Sequence, residues 1–147
     1  MNTNVPLISS GVAGPLGVLH LPRLWLKLSL EARGKLAPGY PGAGKGYDQM
    51  VIDALSLNRD ALINFVKTSR PTYPQLEAWV KKQPGVKLDK ASIDKLNTGI
   101  RGYIHDDATR KSVLGASGIP DDASAPRDAV NLNNLDDWKE FYDAELK

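Results

Sequence analysis

The chain has 147 residues, with 19 basic and 17 acidic side chains, a net charge of +2, 41% hydrophobic residues and no cysteine. That length suits one domain able to bury roughly two-thirds of its unfolded surface. The missing cysteine excludes a disulfide framework, thiol catalysis and thiolate metal sites. The near-balanced charge lacks the basic excess of a dedicated nucleic-acid binder, so that function ranks last.

Residues Met1 to His20 carry no basic side chain ahead of their apolar stretch, and Gly11, Gly14, Pro15 and Gly17 interrupt it. This does not read as a signal peptide, and no apolar run reaches the roughly 18 residues of a membrane span. The expectation is an ordered arm, 1–20, packed on a helical domain, 21–147. Val5, Leu7, Ile8, Val12, Leu16, Val18 and Leu19 would lose free energy if left in water. A cytoplasmic location is expected.

Pro22 suits a first helical turn, where its missing N–H has no partner in any case. Leu21, Leu24, Trp25, Leu28, Ala32 and Leu36 then recur at helical spacing, with Leu26 and Leu30 on the opposite side. A helix apolar on two sides is covered on more than one face. A Gly/Pro-rich loop, 38–46, precedes a short helix bearing Tyr47, Met50, Val51, Ala54 and Leu55. Asn58 is a good cap for a third helix, and Thr72 with Gln75 has capping-box spacing for a fourth, which buries Leu76, Trp79 and Val80. A fifth helix follows Asp89 and carries Ile93, Leu96, Ile100, Tyr103 and Ile104; Gly99 and Gly102 within it suggest close approach by another backbone. A short sixth helix is predicted from Asp106 or Asp107 to Leu114. Residues 115–133 lack any period and read as a long surface loop. Asn134 is then expected to cap a last helix, with Asp136 and Asp137 in its first turn and Leu135, Trp138, Phe141 and Tyr142 inward. No window alternates as a strand would. The fold class is therefore all-α, a single compact domain of six to seven short helices, and Trp25, Trp79 and Trp138 are expected to be largely buried.

Gly39-Tyr40-Pro41-Gly42-Ala43-Gly44-Lys45 has the glycine and lysine spacing of a phosphate-binding P-loop. Gly46 stands where that motif needs Ser or Thr for magnesium, and a helix precedes it rather than a strand, so a flexible inter-helix turn is the better reading. The helix–turn–helix pattern of 57–82 offers little to a base edge, since its second helix begins Tyr73-Pro74-Gln75-Leu76-Glu77. His20 and His105 lack zinc-site spacing and read as surface or capping residues. The paired aspartates 106/107 and 136/137 read as caps and 121/122 as a turn. No metal or other cofactor is expected.

One polar constellation remains. Asp48 stands at the rim of the second helix's apolar stripe, Asn97 within that of the fifth, and Arg23 and Lys27 one turn apart on the first. Buried polar groups must be paired, so these residues are expected to join in one network, either a structural salt bridge or a ligand site. Asp48 in particular needs a cation or backbone donors to stay charged, so it is expected within salt-bridge reach of Arg23, Lys27 or Lys45.

The order Leu21-Pro22-Arg23-Leu24 with Lys27, Tyr47-Asp48-Gln49, Asp53-Ala54-Leu55-Ser56-Leu57-Asn58, Glu77-Ala78-Trp79-Val80, Leu96-Asn97 and Asn134-Leu135-Asp136-Asp137-Trp138 resembles a bacterial family, DUF5069, a domain of unknown function. The resemblance spans about Leu19 to Tyr142 and rests on the order of short motifs. It implies a small bacterial helical domain and no particular activity.

The functional expectation is a non-catalytic helical module binding a partner protein or a small ligand, with Arg23, Lys27, Lys45, Tyr47, Asp48 and Asn97 as the candidate polar cluster. The alternative is a small enzyme using a pocket around Arg23, Lys45, Tyr47 and Asp48. There Asp48 would be a general base or metal ligand, Arg23 or Lys27 would hold an anion and Tyr47 would donate a proton. Composition leaves homo-oligomerisation open.

Overall fold

A computed structural model describes residues 2–147; Met1, the first residue of the expected arm, lies outside the described residues. Seven α-helices follow one another: α1 Leu21–Ala32, α2 Tyr47–Ala54, α3 Arg59–Ser69, α4 Tyr73–Lys81, α5 Lys90–Gly102, α6 Asp107–Ser117 and α7 Ala129–Phe141, with a wide π-type turn at Tyr142–Leu146. Three isolated backbone bridges and no strand accompany them among the described residues, so the chain is an all-α domain. Among those residues no helix is long and apolar enough to cross a membrane.

Side-chain caps set most helix starts. Asn58 accepts from the Ala61 amide, Thr72 and Gln75 complete a reciprocal capping box, and Asp89 and Asp106 accept from Ser92 and Thr109. Each satisfies an amide that the first helical turn would otherwise leave unpaired. The last helix corrects the sequence reading. It starts five residues before Asn134, capped by Asp128, whose carboxylate accepts from the Asn131 amide at 3.0 Å. The preceding loop is correspondingly shorter, because α6 runs on to Ser117 and stops at Gly118 in a left-handed conformation.

The buried face of α7 is set by Ala129, Leu132 and Asp137. At about 100° per residue, Trp138 lies half a turn from Ala129, and it is 60% exposed instead of buried. Trp25 and Trp79 are half-buried, the first edge-on to Tyr73 and the second stacked on Phe65 at 4.9 Å. Two further expectations fail in α5. Tyr103 and Ile104 lie beyond its end and are exposed. A side-chain carbon at Gly102 would meet nothing within 4 Å, and at Gly99 only the Met50 sulfur at 3.9 Å, so neither glycine admits a neighbouring backbone.

Helix α1 is central and packs against α2, α3 and α4. Leu21, Leu24 and Leu28 meet Val51, Ile52, Leu62 and Leu76 in the main core. A smaller cluster of Leu114, Ala125 and Leu132 joins α6 to α7, and α7 reaches the rest through α5. The arm is ordered and buries Val18 and Leu19, although Leu7 and Val12 stay nearly half exposed on its outer edge. Its course depends on Gly14, where a side-chain carbon would collide with the Tyr73 ring. That approach lets buried Glu77 accept from both the Leu16 amide and the Tyr73 hydroxyl.

Candidate functional site

His20, just ahead of α1, and Arg23 and Lys27 within it stand at i, i+3 and i+7. All three are buried, at 2%, 6% and 6% exposure. Long cations such as Arg23 and Lys27 are rarely buried unless paired, and here each finds its carboxylate on another element. Lys27 Nζ donates to Asp48 Oδ2 at 2.5 Å, tying α1 to α2. Arg23 forks onto Asp137 at 2.6 and 3.1 Å, tying α1 to α7, and also donates to the Pro6 and Ile8 carbonyls of the arm. Tyr40 completes this second pair by donating to Asp137 Oδ1 at 2.9 Å.

Asp48 is the most heavily engaged carboxylate. Besides Lys27 it takes the Gly44 amide at 2.7 Å and the His20 Nε2 at 2.6 Å. Burial alone would push its carboxyl up, but the His20 hydrogen bond, the Lys27 charge and the Gly44 amide together hold it well below the carboxylate range. The His20 pKa is lowered in turn by burial, against the opposing bond and charge of Asp48. A neutral imidazole with its proton on Nε2 fits both contacts, leaving Nδ1 to accept from Ser10 Oγ at 2.9 Å. His20 adopts a left-handed backbone, φ 72°, at the head of α1. Strained conformations of this kind persist only where surrounding contacts hold them.

Of these groups His20, Arg23, Lys27, Tyr40, Gly44 and Asp48 line a cavity of about 370 Å³, the size of a small-molecule site. One wall is aromatic. Tyr47 lies against His20 at 5.3 Å and Tyr103 at 5.6 Å, and Tyr103 against His105 at 5.9 Å. The opposite chain terminus supplies another wall: Ala129, Asn133, Asp136 and Glu140, at i, i+4, i+7 and i+11 of α7, all line the cavity. Lys45 stands exposed on the lining loop. That loop is not the free turn expected. Gly42 and Gly44 donate to Glu31 and Asp48, while Arg59 donates to the Ala43 and Gly44 carbonyls. The amides a P-loop would offer to phosphate at these two positions therefore face protein carboxylates.

The expected polar cluster is thus partly assembled. Lys27, Lys45, Tyr47, Asp48 and Arg23 line one cavity, but Arg23 pairs with Asp137 rather than Asp48. Asn97 stands apart and fastens the arm, accepting from the Leu19 amide and donating to the Gly17 carbonyl. His20 does stand at the cap position of α1, but its side chain caps nothing and is buried in the network, while half-buried His105 contacts Asn133 at 3.2 Å on the cavity wall. Asp136 and Asp137, read as caps, lie beyond the first turn of α7 and serve the site. The sequence does carry a signal for this wall in the polar spacing of Asn133, Asp136 and Glu140, at i+4, i+7 and i+11 counted from Ala129, which becomes visible once Asp128 is taken as the cap. No protein-family model matches the chain, and no curated protein matches it.

Proposed function

We propose that the protein is a non-catalytic helical module that binds a small polar molecule in this cavity. Lys27 carries the reading. It is 6% exposed, gives one of its three N–H donors to Asp48, and lines a cavity large enough for a ligand. A salt bridge that only joined helices would need no such opening beside it.

The enzymatic alternative finds less support. The Asp48 oxygens already accept from three donors, which leaves a poor general base and a crowded metal ligand. Tyr47 donates its proton to the Ile100 carbonyl, and burial, followed by the charges of Asp128 and Tyr103, pushes its hydroxyl up to about 12. Ser10, His20 and Asp48 form a hydrogen-bonded series of the residue types used in nucleophilic catalysis. Ser10 is fully buried, however, and a substrate carbonyl has no path to its Oγ.

A thermal-shift screen of the full chain against small carboxylates, phosphates, amines and amino acids tests the reading. At least one class should raise the unfolding midpoint, and that rise should shrink in Tyr103→Ala and Lys45→Ala, both exposed positions whose loss spares the core. A screen in which no class moves the midpoint contradicts it.

A further inference from the structure

We infer that the ligand of this cavity is a zwitterion bearing one carboxylate and one ammonium group, an amino acid by chemical class. The inference rests on the small-molecule reading above and narrows it. Within the lining, the charge of Lys27 is answered by Asp48 and that of Arg23 by Asp137. Three charged side chains of the lining remain without an ion partner among the described residues: Lys45 on the loop, and Asp136 and Glu140 on α7. No salt bridge within 4.0 Å joins them to one another or to any other group described.

Each simpler ligand leaves part of this lining unanswered. A plain anion would find Lys45 and the two free donors of Lys27, yet would share the space with two uncompensated carboxylates. A plain cation would suit Asp136 and Glu140 but would leave the lysine donors unused and repel Lys45. A molecule carrying both charges meets both ends, its carboxylate at Lys27 and Lys45 and its ammonium at Asp136 and Glu140. The Tyr47 and Tyr103 rings on the wall suit the methylenes between, and ring faces also attract an ammonium group. A cavity of about 370 Å³ accommodates a molecule of that size as a whole.

Calorimetric titration of the full chain with L-alanine, γ-aminobutyrate, δ-aminovalerate, butyrate and n-butylamine tests the inference. At least one of the three zwitterions should bind about ten-fold or more tightly than either half-molecule, the gain expected of one added charge-assisted contact. Asp136→Asn and Glu140→Gln should each weaken that zwitterion several-fold and leave butyrate unchanged or tighter. Both substitutions remove like-charge repulsion near the site, so the fold should hold. Lys45→Ala should weaken the zwitterion and butyrate alike. Butyrate or butylamine binding as tightly as every zwitterion overturns the inference while the small-molecule reading stands. No binding by any of the five up to about 10 mM, a range that covers weak ligands, also overturns it. A blank result in the wider screen as well would take the underlying reading with it.

Discussion

His20 combines a left-handed backbone, a buried ring and a hydrogen bond at each ring nitrogen, Nε2 donating and Nδ1 accepting. Its folded pKa is lowered, so below its ordinary value of 6.5 the unfolded chain takes up a proton that the folded chain refuses. Stability should therefore decline as pH falls below 6.5, with a slope from this residue of at most about 1.4 kcal/mol per pH unit. His20→Gln, which keeps a donor for Asp48 and does not titrate, should flatten urea midpoints measured between about pH 7.5 and 5.5; an unchanged slope would place the effect elsewhere. Asp48 acts lower on the scale. Its contribution is present above the ordinary 3.8 and is lost as pH falls through its depressed folded value. Asp48→Asn leaves Lys27 charged and buried without its carboxylate, so equilibrium unfolding should show a loss of about 3 kcal/mol. The need of Asp48 for a cation was legible from its position on an apolar stripe. The bond with His20 was not, because Leu21-Pro22 marks a helix start and a histidine just ahead of it reads as a cap.

At the scale of elements, local chemistry was readable and long-range pairing was not. The caps at Asn58, Thr72, Asp89 and Asp106 act within three residues, and the sequence displays both partners. The start of α7 was hidden because Asn131, Asn133 and Asn134 are weak helix formers and make the segment resemble a loop. Asp128→Ala should thus cost about 1 kcal/mol as a lost cap, whereas Asn134→Ala should cost little in the same denaturation assay. The two tryptophans should separate likewise. Trp79→Ala removes a ring stacked on Phe65 and should cost at least about 2 kcal/mol, while Trp138→Ala, on an outward face, should fall within about 0.5 kcal/mol of wild type. Arg23 and Asp137 are 114 residues apart, and no local pattern announces that pair. It forms because α5 and α7 pack together and carry the end of the chain back to the head of α1.

On the scale of the molecule, three distant stretches converge on one cavity: the head of α1, the tied loop with the start of α2, and the inner face of α7. The two buried ion pairs link all three, Lys27–Asp48 between α1 and α2 and Arg23–Asp137 between α1 and α7. Such pairs are seldom a net source of stability compared with apolar packing, since desolvation offsets their attraction. Their placement around an open, aromatic-walled space is what a preorganised binding floor requires, because the charges are fixed before a ligand arrives. Amide chemical-shift mapping of the isotope-labelled full chain, titrated with the best small molecule from the thermal screen, tests this most directly. The account predicts saturable shifts centred on Lys45, Tyr47, Tyr103 and Asn133, with the exposed edge around Leu7 and Trp138 unmoved. Shifts centred on that edge instead, or none near the cavity at saturating ligand, would contradict it.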